Sequence, residues 1–408
     1  MKINELESCS KYKLLFDQDE FDRKIHLYRL YNVVVTGKNL YYPNTLLFSQ
    51  NSSELFKPIS EKVMSLQNVE QDNDFTFELE LNYNYFETPV FFFIYNTENY
   101  YHFIYDTLPY LISFFELKKE IHNLKLLMNL PNKDKKEFYP FVLETLNILG
   151  ITGDDIVIVN NNIIYKNIYI SSSYTHNIDP NLPPRKEIKD LFSKMCDLVE
   201  DNKDLPKKIY ISRRSWKHND FSNIGTNYTT RRKMINEDDL VESLIDQGYE
   251  EIFTEKLSMV EKIQLFKNAE KIIGSIGGGL VNVVFSKSTT KLLTIVSPYF
   301  LEINKRFQYS LDFASNILFY KTKHLDDGNF KKYSRVMCGE IVGEIVDKKD
   351  NQIKIIYDNA SVSGWDLSRN FEEKWVDLNY CKSLDNGLNS EYIIDLDAFD
   401  KILKEKLC

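Results

Sequence analysis

Short apolar runs alternate with helical patterns through the second half of the chain. The runs have the length and composition of buried strands, and they lie at Lys208–Ser212, Glu251–Thr254, Lys271–Ser275 and Lys291–Val296. Apolar residues recur at helical spacing in the stretches Glu237–Gln247, Ser258–Asn268 and Tyr299–Ser315. Strands that alternate with helices predict βαβ units and a parallel sheet, which binds ligands beyond the carboxyl ends of its strands.

The first half shows a similar alternation after an irregular start. Strand patterns come first, at His26–Val35, Phe75–Leu81 and Pro89–Tyr95. Three further strands are then predicted, at Lys125–Asn129, Asp155–Val159 and Asn162–Ser171. Helices are predicted at Lys135–Leu149 and Pro184–Glu200, and the polar, proline-ended stretch Asp201–Pro206 is the best candidate for a domain junction.

The tail has β character and closes with a helix. Runs at Gly339–Val346 and Gln352–Tyr357 predict a small β-rich insertion, and Tyr392–Leu407 predicts a short strand followed by an amphipathic helix. We therefore predict four segments, namely an α/β domain over 1–204, a Rossmann-like domain over 205–322, the β-rich insertion over 323–390, and a closing strand and helix over 391–408.

Composition narrows the classes of function. The net charge of −9 argues against general nucleic-acid binding, so an anionic substrate would need a local basic pocket. Five dispersed cysteines without a CxxC spacing predict free thiols in a reducing compartment. The start lacks the apolar core of a signal peptide, and no apolar run is long enough to span a bilayer. We expect a cytoplasmic protein that meets a membrane only peripherally or through partners.

His102 and Asp106 are the first candidates for chemistry. They lie in a predicted helix that begins near Asn96, Thr97 or Asn99 and is kinked at Pro109. A spacing of four places both side chains on one helical face, where a carboxylate can orient an imidazole and raise its basicity. The alternative is a solvated or structurally satisfied histidine with a nearby charge.

A glycine-rich stretch, Lys271–Phe285, reads KIIGSIGGGLVNVVF. A strand that ends in Gly277, Gly278 and Gly279 and leads into a helix can present main-chain N–H groups to an anion. We expect the turn to require positive φ angles and close approach of a phosphate, both of which favour glycine. A tight turn between two buried elements is the alternative reading.

The strongest basic cluster lies between Lys208 and Glu237. It contains Arg213, Arg214, Lys217, Arg231, Arg232 and Lys233. Arginine pairs near a glycine loop can clamp a diphosphate with two parallel hydrogen bonds, which lysine cannot do. A solvated charged loop remains the alternative.

Four of these segments resemble glycosyltransferase family 61. They are Asn99–Pro109 (NYYHFIYDTLP), Ile211–Arg214 (ISRR), Arg231–Glu237 (RRKMINE) and Ile272–Phe285 (IIGSIGGGLVNVVF). The resemblance implies a GT-B fold, in which two Rossmann-like domains face a cleft and the C-terminal one holds most of the nucleotide-sugar donor. It also implies inverting transfer of the sugar to a hydroxyl group of a glycan or glycoprotein.

The resemblance also guides the assignment of roles. His102 would be the base, oriented by Asp106. The donor would be bound by Arg213, Arg214, Arg231, Arg232, Gly277, Gly278, Gly279 and Asn282. Glu237 would hold the ribose or buttress an arginine. A UDP-sugar is the expected donor, and no metal or other cofactor is expected because no DxD stands in an obvious strand-end loop that matches the family motifs and arginine can neutralise phosphate.

One position departs from the family pattern. The family usually has His-Gly-Ala-Gly in the glycine loop, whereas Ile276 and Gly278 occupy the positions of the histidine and alanine here. The departure leaves open altered donor specificity, weaker activity, or a binding protein of the same fold that has lost catalysis. A different nucleotide-using α/β enzyme, such as an epimerase, is disfavoured because no GxGxxG follows an N-terminal strand.

Overall fold

The structure of the chain is a computed structural model. It describes residues 4–6, 13–16, 25–36, 39–41, 84–93, 97, 99–130, 137–160, 162–175, 184–214, 234–296, 305–321, 323–324, 335–339, 341–358, 371–383 and 392–407. The chain forms two compact units, Met1–Val199 (unit 1) and Glu200–Cys408 (unit 2). The predicted strand Phe75–Leu81 lies outside the described residues.

Unit 1 is built on one mixed sheet. Its strands are β1 (Asn4–Leu6), β2 (Lys13–Phe16), β3 (Ile25–Thr36), β4 (Asn39–Tyr41), β5 (Asn84–Phe86), β6 (Val90–Phe93), β7 (Lys125–Met128), β8 (Ile156–Ile158) and β9 (Ile163–Ser171). The main path through the sheet is β1-β3-β9-β6-β7-β8. Strands β9, β6, β7 and β8 form a parallel array, whereas β3 runs antiparallel to β9. The predicted parallel sheet is therefore part of a larger mixed one.

The order of the parallel strands in unit 1 reverses beside β6. From β6 the chain moves outward through β7 to β8, and then returns to the other side of β6 as β9. Open α/β sheets bind ligands at such a reversal, beyond the carboxyl ends of the two strands that flank it. We call this place the switch point of the sheet. In unit 1 it lies beyond the ends of β6 and β9.

The helix that follows β6 changes its winding around Pro109. A π-helical turn, His102–Thr107, is followed by a 3-10 turn, Leu108–Tyr110, and by the α-helix α1, Leu111–Glu120. Proline donates no hydrogen bond and its ring crowds the carbonyl four residues back, so a regular α-helix cannot continue through it. The predicted disturbance at Pro109 is confirmed. Two further helices, α2 (Pro140–Ile148) and α3 (Glu187–Leu198), complete the unit.

Unit 2 contains a five-stranded parallel sheet. Its strands are β10 (Lys208–Ile211), β11 (Glu250–Ile252), β12 (Lys271–Ser275), β13 (Lys291–Val296) and β14 (Ser315–Lys321). The spatial order is β11-β10-β12-β13-β14, and every neighbouring pair is parallel. This is a 2-1-3-4-5 order, so the switch point of unit 2 lies between β10 and β12.

The helices of unit 2 follow the predicted positions. They are α4 (Glu237–Asp246), α5 (Met259–Asn268) and α6 (Lys305–Leu311). Helix α5 begins with the predicted capping box, in which Ser258 Oγ accepts from the Glu261 N–H and the Glu261 carboxylate accepts from the Ser258 N–H. After the glycines, Gly278–Phe285 forms a 3-10 helix.

The tail of unit 2 forms two further pieces. An antiparallel sheet in the order β19-β18-β17-β16-β20 contains β16 (Arg335–Cys338), β17 (Ile341–Lys349), β18 (Gln352–Asp358), β19 (Phe371–Asp377) and β20 (Cys381–Ser383). A short pair joins β15 (Lys323–His324) to β21 (Tyr392–Ile393). Helix α7 (Leu396–Ile402) and a final π-helical turn (Leu403–Leu407) then close the unit by packing on the core beside β10 and β12.

One prediction about the cysteines is wrong. Cys338 and Cys381 are paired across β16 and β20 in a disulfide, because antiparallel pairing places them opposite each other. Their distance of 43 residues in sequence hides this pairing from any spacing rule. Cys196 is not part of a disulfide, and Cys9 and Cys408 lie outside the described residues. Across the described parts of the chain, no helix is both long and apolar enough to cross a bilayer.

Candidate functional site

His102 and Asp106 form a hydrogen-bonded pair at the start of the helix that follows β6. His102 Nδ1 lies 2.7 Å from Asp106 Oδ2, and the predicted common face is confirmed. Asp106 is fully buried, whereas 27% of the His102 side chain is exposed. When Nδ1 carries the proton and donates it to the carboxylate, the basic lone pair is on Nε2. The pair therefore has the arrangement of an imidazole base oriented by a carboxylate.

Residues from the ends of two strands hold this pair in place. Asn99 Oδ1 accepts a hydrogen bond from the His102 backbone N–H at 3.2 Å, so the predicted cap at Asn99 is present. Thr175, just beyond β9, donates from Oγ1 to Asp106 Oδ1 at 3.1 Å. Because β6 and β9 are parallel neighbours, the segments that follow them meet at one edge of the sheet. The polar group therefore lies at the switch point of unit 1.

In unit 2, Arg213 lies over the glycine stretch. It follows the end of β10, and Gly277 follows the end of the neighbouring parallel strand β12. The guanidinium is so close to Gly277 that a Cβ at this position would collide with Arg213 Nη1. A cation and a bare turn of main chain are therefore brought together at the switch point of unit 2, as the sequence predicts for these two residues.

The glycine turn does not use left-handed backbone, so that prediction is wrong. Gly277 has φ 167°, which is extended backbone that any residue can adopt. The described glycines with left-handed φ are elsewhere, at Gly150, Gly248 and Gly339.

Close packing explains why glycine is needed in part of the turn. A Cβ at Gly279 would lie 2.7 Å from Thr254 Oγ1 and 3.0 Å from Ile211 Cγ2. A Cβ at Gly278 would meet nothing within 4 Å. Gly279 thus lets the turn pack against β10, Gly277 makes room for Arg213, and Gly278 faces open space.

Glu237 is a buried carboxylate that holds the end of β10. It is the first residue of α4 and is 2% exposed. Its Oε1 accepts from the Tyr210 hydroxyl at 2.8 Å, the Ser212 hydroxyl at 3.2 Å and the Arg213 backbone N–H at 2.8 Å. Burial raises the pKa of Glu237 even though these donors and the charge of Arg213 lower it. Of the two predicted roles, these contacts favour the buttress of an arginine.

Arg214 directs its guanidinium towards carboxylates of unit 2. Nε and Nη2 each donate to Glu251 at 2.6 Å, and Nη1 donates to Asp238 at 2.7 Å. The hydrogen bonds to Glu251, with the charges of both carboxylates, hold the pKa of Arg214 above its usual value. The guanidinium of Arg214 is therefore part of an ion-pair network. Of the arginines in the basic cluster that the structure describes, Arg213 lies beside the glycines. Arg231 and Arg232 lie outside the described residues.

The region that contains these groups matches a known family. Residues 100–293 match the family model described as Glycosyltransferase 61. This segment is similar to glycosyltransferase family 61. The resemblance drawn from the motifs is confirmed, and the match runs from the helix of His102 to β13, so it includes all the described candidate residues. The match suggests a glycosyltransferase. No curated protein matches the chain.

Ile276, at the position where the resemblance implies a histidine, belongs to a small apolar cluster. Its side chain is 5% exposed and packs with Val296 and the partly buried Phe307. Its N–H donates to the carbonyl of Ile295 at 3.0 Å. The substitution therefore buries an apolar side chain at this position, and any polar contact that a histidine would make must come from other residues.

Two buried side chains form hydrogen bonds with the glycine-rich stretch. Asn282 Nδ2 donates to the Gly279 carbonyl at 2.8 Å, which fits its predicted place in the turn. Tyr392, on the closing strand β21, donates to Ser275 Oγ at 2.8 Å. No local pattern predicts the second contact, since 117 residues separate Tyr392 from Ser275.

Thr175 was also missed, although a signal was present. It ends a run of five residues that all carry hydroxyl groups, Ser171–Thr175, directly after a predicted strand. A hydroxyl-rich strand end in a parallel sheet is a reasonable candidate for a site.

For metals, the described part of the chain contains no group of three or more His, Cys, Asp or Glu side chains that could hold an ion.

Proposed function

We propose that the protein is an inverting glycosyltransferase that moves a sugar from a nucleotide diphosphate to a hydroxyl group of a glycan or glycoprotein. The observation that supports this most directly is the contact of Arg213 with Gly277 at the switch point of unit 2. A guanidinium can neutralise a diphosphate, and a glycine turn lets phosphate oxygens approach main-chain N–H groups. The family of the segment supports the reaction class.

In this proposal His102 is the general base. Its Nε2 accepts the proton of the acceptor hydroxyl while the hydroxyl oxygen attacks the anomeric carbon on the face opposite the leaving group. The bond from the anomeric carbon to the phosphate oxygen breaks, and its electron pair leaves with the diphosphate. Arg213 stabilises the charge that develops there, and Asp106 stabilises the imidazolium.

We further propose the GT-B class, with the acceptor bound by unit 1 and the donor by unit 2. Each unit has a parallel array with polar residues at its switch point, which supports this division. A UDP-linked hexose or pentose as donor rests on the family resemblance. Metal independence is part of the proposal because arginine can take the place of a divalent ion at a leaving diphosphate.

A thermal-shift screen tests donor binding. The chain is mixed with nucleoside diphosphates and their sugars, with and without a chelator, and a tight ligand should raise the melting temperature by mass action. We expect a UDP compound to give the largest shift, unchanged by the chelator and reduced in Arg213→Ala. A flat response across the panel would contradict the donor site.

A second candidate is a binding protein that keeps the fold without catalysis. The observation that favours it is Ile276, whose buried apolar side chain cannot donate a hydrogen bond. The two candidates differ in turnover, measured as release of free nucleoside diphosphate in the presence of acceptor glycans. Donor binding without turnover, together with turnover gained by Ile276→His, would favour the binding protein.

We keep a cytoplasmic location and the absence of nucleic-acid partners as proposals. The net charge of −9 supports the latter. The disulfide between Cys338 and Cys381 counts against a reducing compartment. Fractionation of cells that express the tagged full chain, with thiol labelling before and after reduction, tests the compartment and the disulfide in one experiment.

A further inference from the structure

The carboxylate of Asp106 has a hydrogen-bond donor at each of its two oxygens. The side chain is fully buried, so an ionised carboxylate needs donors at both positions to offset the loss of water. His102 occupies Oδ2 and Thr175 occupies Oδ1. A carboxylate can only accept, so the Thr175 hydroxyl donates. Thr175 is itself 1% exposed, and the bond is shielded from water.

Thr175 is carried by a segment with its own network of hydroxyl groups. Ser113 Oγ, on α1, is hydrogen-bonded to Ser171 Oγ at 2.9 Å and to the Tyr174 hydroxyl at 2.8 Å. The backbone N–H of Thr175 donates to Ser173 Oγ at 3.2 Å. These bonds tie the end of β9 to the helix that carries Asp106, so the position of the Thr175 hydroxyl is fixed by the fold.

We propose that Thr175 is a positioning residue for the transfer reaction, the last member of a chain that runs from His102 through Asp106 to Thr175. The inference rests on the proposed function, in which His102 is the base. Without the Thr175 hydroxyl, the Asp106 carboxylate can rotate about its terminal torsion and loses the donor at Oδ1. It then holds His102 Nδ1–H less well, and the lone pair of Nε2 is no longer fixed in direction.

A simpler role would be to satisfy a buried hydroxyl without any effect on His102. The two roles differ in their consequences. A structural residue changes stability and leaves the turnover of the folded enzyme unchanged. A positioning residue changes kcat with little change in KM, and it changes the state of the His102 ring even when no substrate is present.

The test uses Thr175→Val, which keeps the shape and removes the hydroxyl, and Thr175→Ser, which keeps the hydroxyl. Thr145→Val is the matched control, because it makes the same change at a buried threonine of unit 1 whose hydroxyl donates to the Phe141 carbonyl, outside the network that holds Thr175. If Thr175→Val does not fold, Thr175→Ala removes the same donor. All variants are measured in the full chain, by steady-state kinetics and by ¹⁵N NMR of the imidazole nitrogens.

We expect Thr175→Val to lower kcat about tenfold at nearly constant KM, since a hydrogen bond to a charged group is lost. Thr175→Ser should stay within about twofold of the wild type. In NMR of the free protein, the His102 signal, assigned by its loss in His102→Gln, should lose its fixed Nδ1–H tautomer in Thr175→Val and keep it in Thr145→Val.

The outcomes separate this inference from the proposed function. Unchanged kcat and an unchanged His102 tautomer in folded Thr175→Val would overturn the inference. A wild-type protein without turnover would overturn the proposed function, and the NMR comparison would then still decide whether Thr175 holds the Asp106–His102 pair.

Discussion

The two switch points of the molecule have related topology and different chemistry. In unit 1, the segments after β6 and β9 bring together an imidazole, a buried carboxylate and a hydroxyl. In unit 2, the segments after β10 and β12 bring together a guanidinium and a bare glycine turn. Parallel strand order determines where a site lies, and the residues just past the strand ends determine what it does.

Their buried carboxylates show the difference most clearly. Asp106 directs an oxygen to a partly exposed side chain, His102, and so can act on a proton-transfer group. Glu237 directs its Oε1 to the backbone N–H of Arg213 and to two buried hydroxyl groups, and so holds the end of β10 at the proposed donor site. We therefore expect changes in unit 1 to alter rate and changes in unit 2 to alter donor affinity.

The largest effect is expected for His102→Ala. Loss of the general base should lower kcat about 10²- to 10⁴-fold. The shift in melting temperature caused by a nucleoside diphosphate should stay the same, because the proposed donor contacts are in unit 2. The exposed His122 provides the control, since His122→Ala removes an imidazole from the turn after α1. If His102→Ala kept the wild-type transfer rate, unit 1 would not have the proposed role in proton transfer.

Arg213→Ala should have the next largest effect. It removes a charged donor at the glycine turn, and we expect about tenfold or greater weakening of nucleoside diphosphate binding, measured by titration calorimetry. Arg214→Ala is the matched control one residue away, because its guanidinium is bonded to Glu251 and Asp238. It should lower stability and leave affinity nearly unchanged. The reverse result would place the diphosphate contact on Arg214.

Arg213 and Arg214 show which features of the site can be predicted from the sequence and which cannot. The bounds of β12 and β13 coincide with the predicted apolar runs, and the contact of His102 with Asp106 follows from local helical spacing. The different directions of Arg213 and Arg214 depend on which strand lies beside β10, and no local pattern encodes that. The sequence therefore predicts the basic cluster but not which member reaches the turn.

Long-range pairs were missed for the same reason. Thr175 contacts Asp106 across 69 residues, and the disulfide joins positions 43 residues apart. The glycines form the predicted turn, but the left-handed backbone predicted for them is wrong. Gly279 leaves space for Thr254 and Ile211, and Gly277 leaves space for the end of Arg213, which only the packed structure reveals.

The glycines offer a third, smaller test of the comparison. In Gly277→Ala the new Cβ would displace the flexible end of Arg213, so nucleotide affinity should fall about fivefold while stability changes little. In Gly279→Ala the Cβ would press on Thr254 and Ile211, so stability should fall by about 1–3 kcal/mol. Urea unfolding and calorimetry on both variants give the two quantities. If Gly277→Ala and Gly279→Ala lost nucleotide affinity to the same extent and stability to the same extent, the turn would have no dedicated contact with Arg213.

The smallest effect concerns Glu237 and appears as a pH dependence of stability. Because burial raises the pKa of Glu237, its carboxyl group binds a proton more tightly in the folded state than in the unfolded one. Its contribution to stability is complete below the unfolded pKa of about 4.3 and is lost as pH rises through the folded pKa. Glu237→Gln cannot titrate and keeps an acceptor for the Arg213 N–H. The free energy of unfolding of Glu237→Gln should be within about 1 kcal/mol of the wild-type value at pH 4. As the pH is raised to 7, the variant should become more stable relative to wild type.

Glu261 supplies a control of opposite sign in the same unit. The hydrogen bonds of the Ser258 cap lower the pKa of Glu261, so its stabilising contribution is present above the unfolded pKa and is lost as pH falls through the folded pKa. Glu261→Gln should therefore lose stability relative to wild type between pH 4 and pH 7, whereas Glu237→Gln gains. Urea unfolding of the full chain at both pH values measures the two differences. If both variants moved in the same direction, burial would not raise the pKa of Glu237 in the folded protein, and the pH dependence expected from its burial would be wrong.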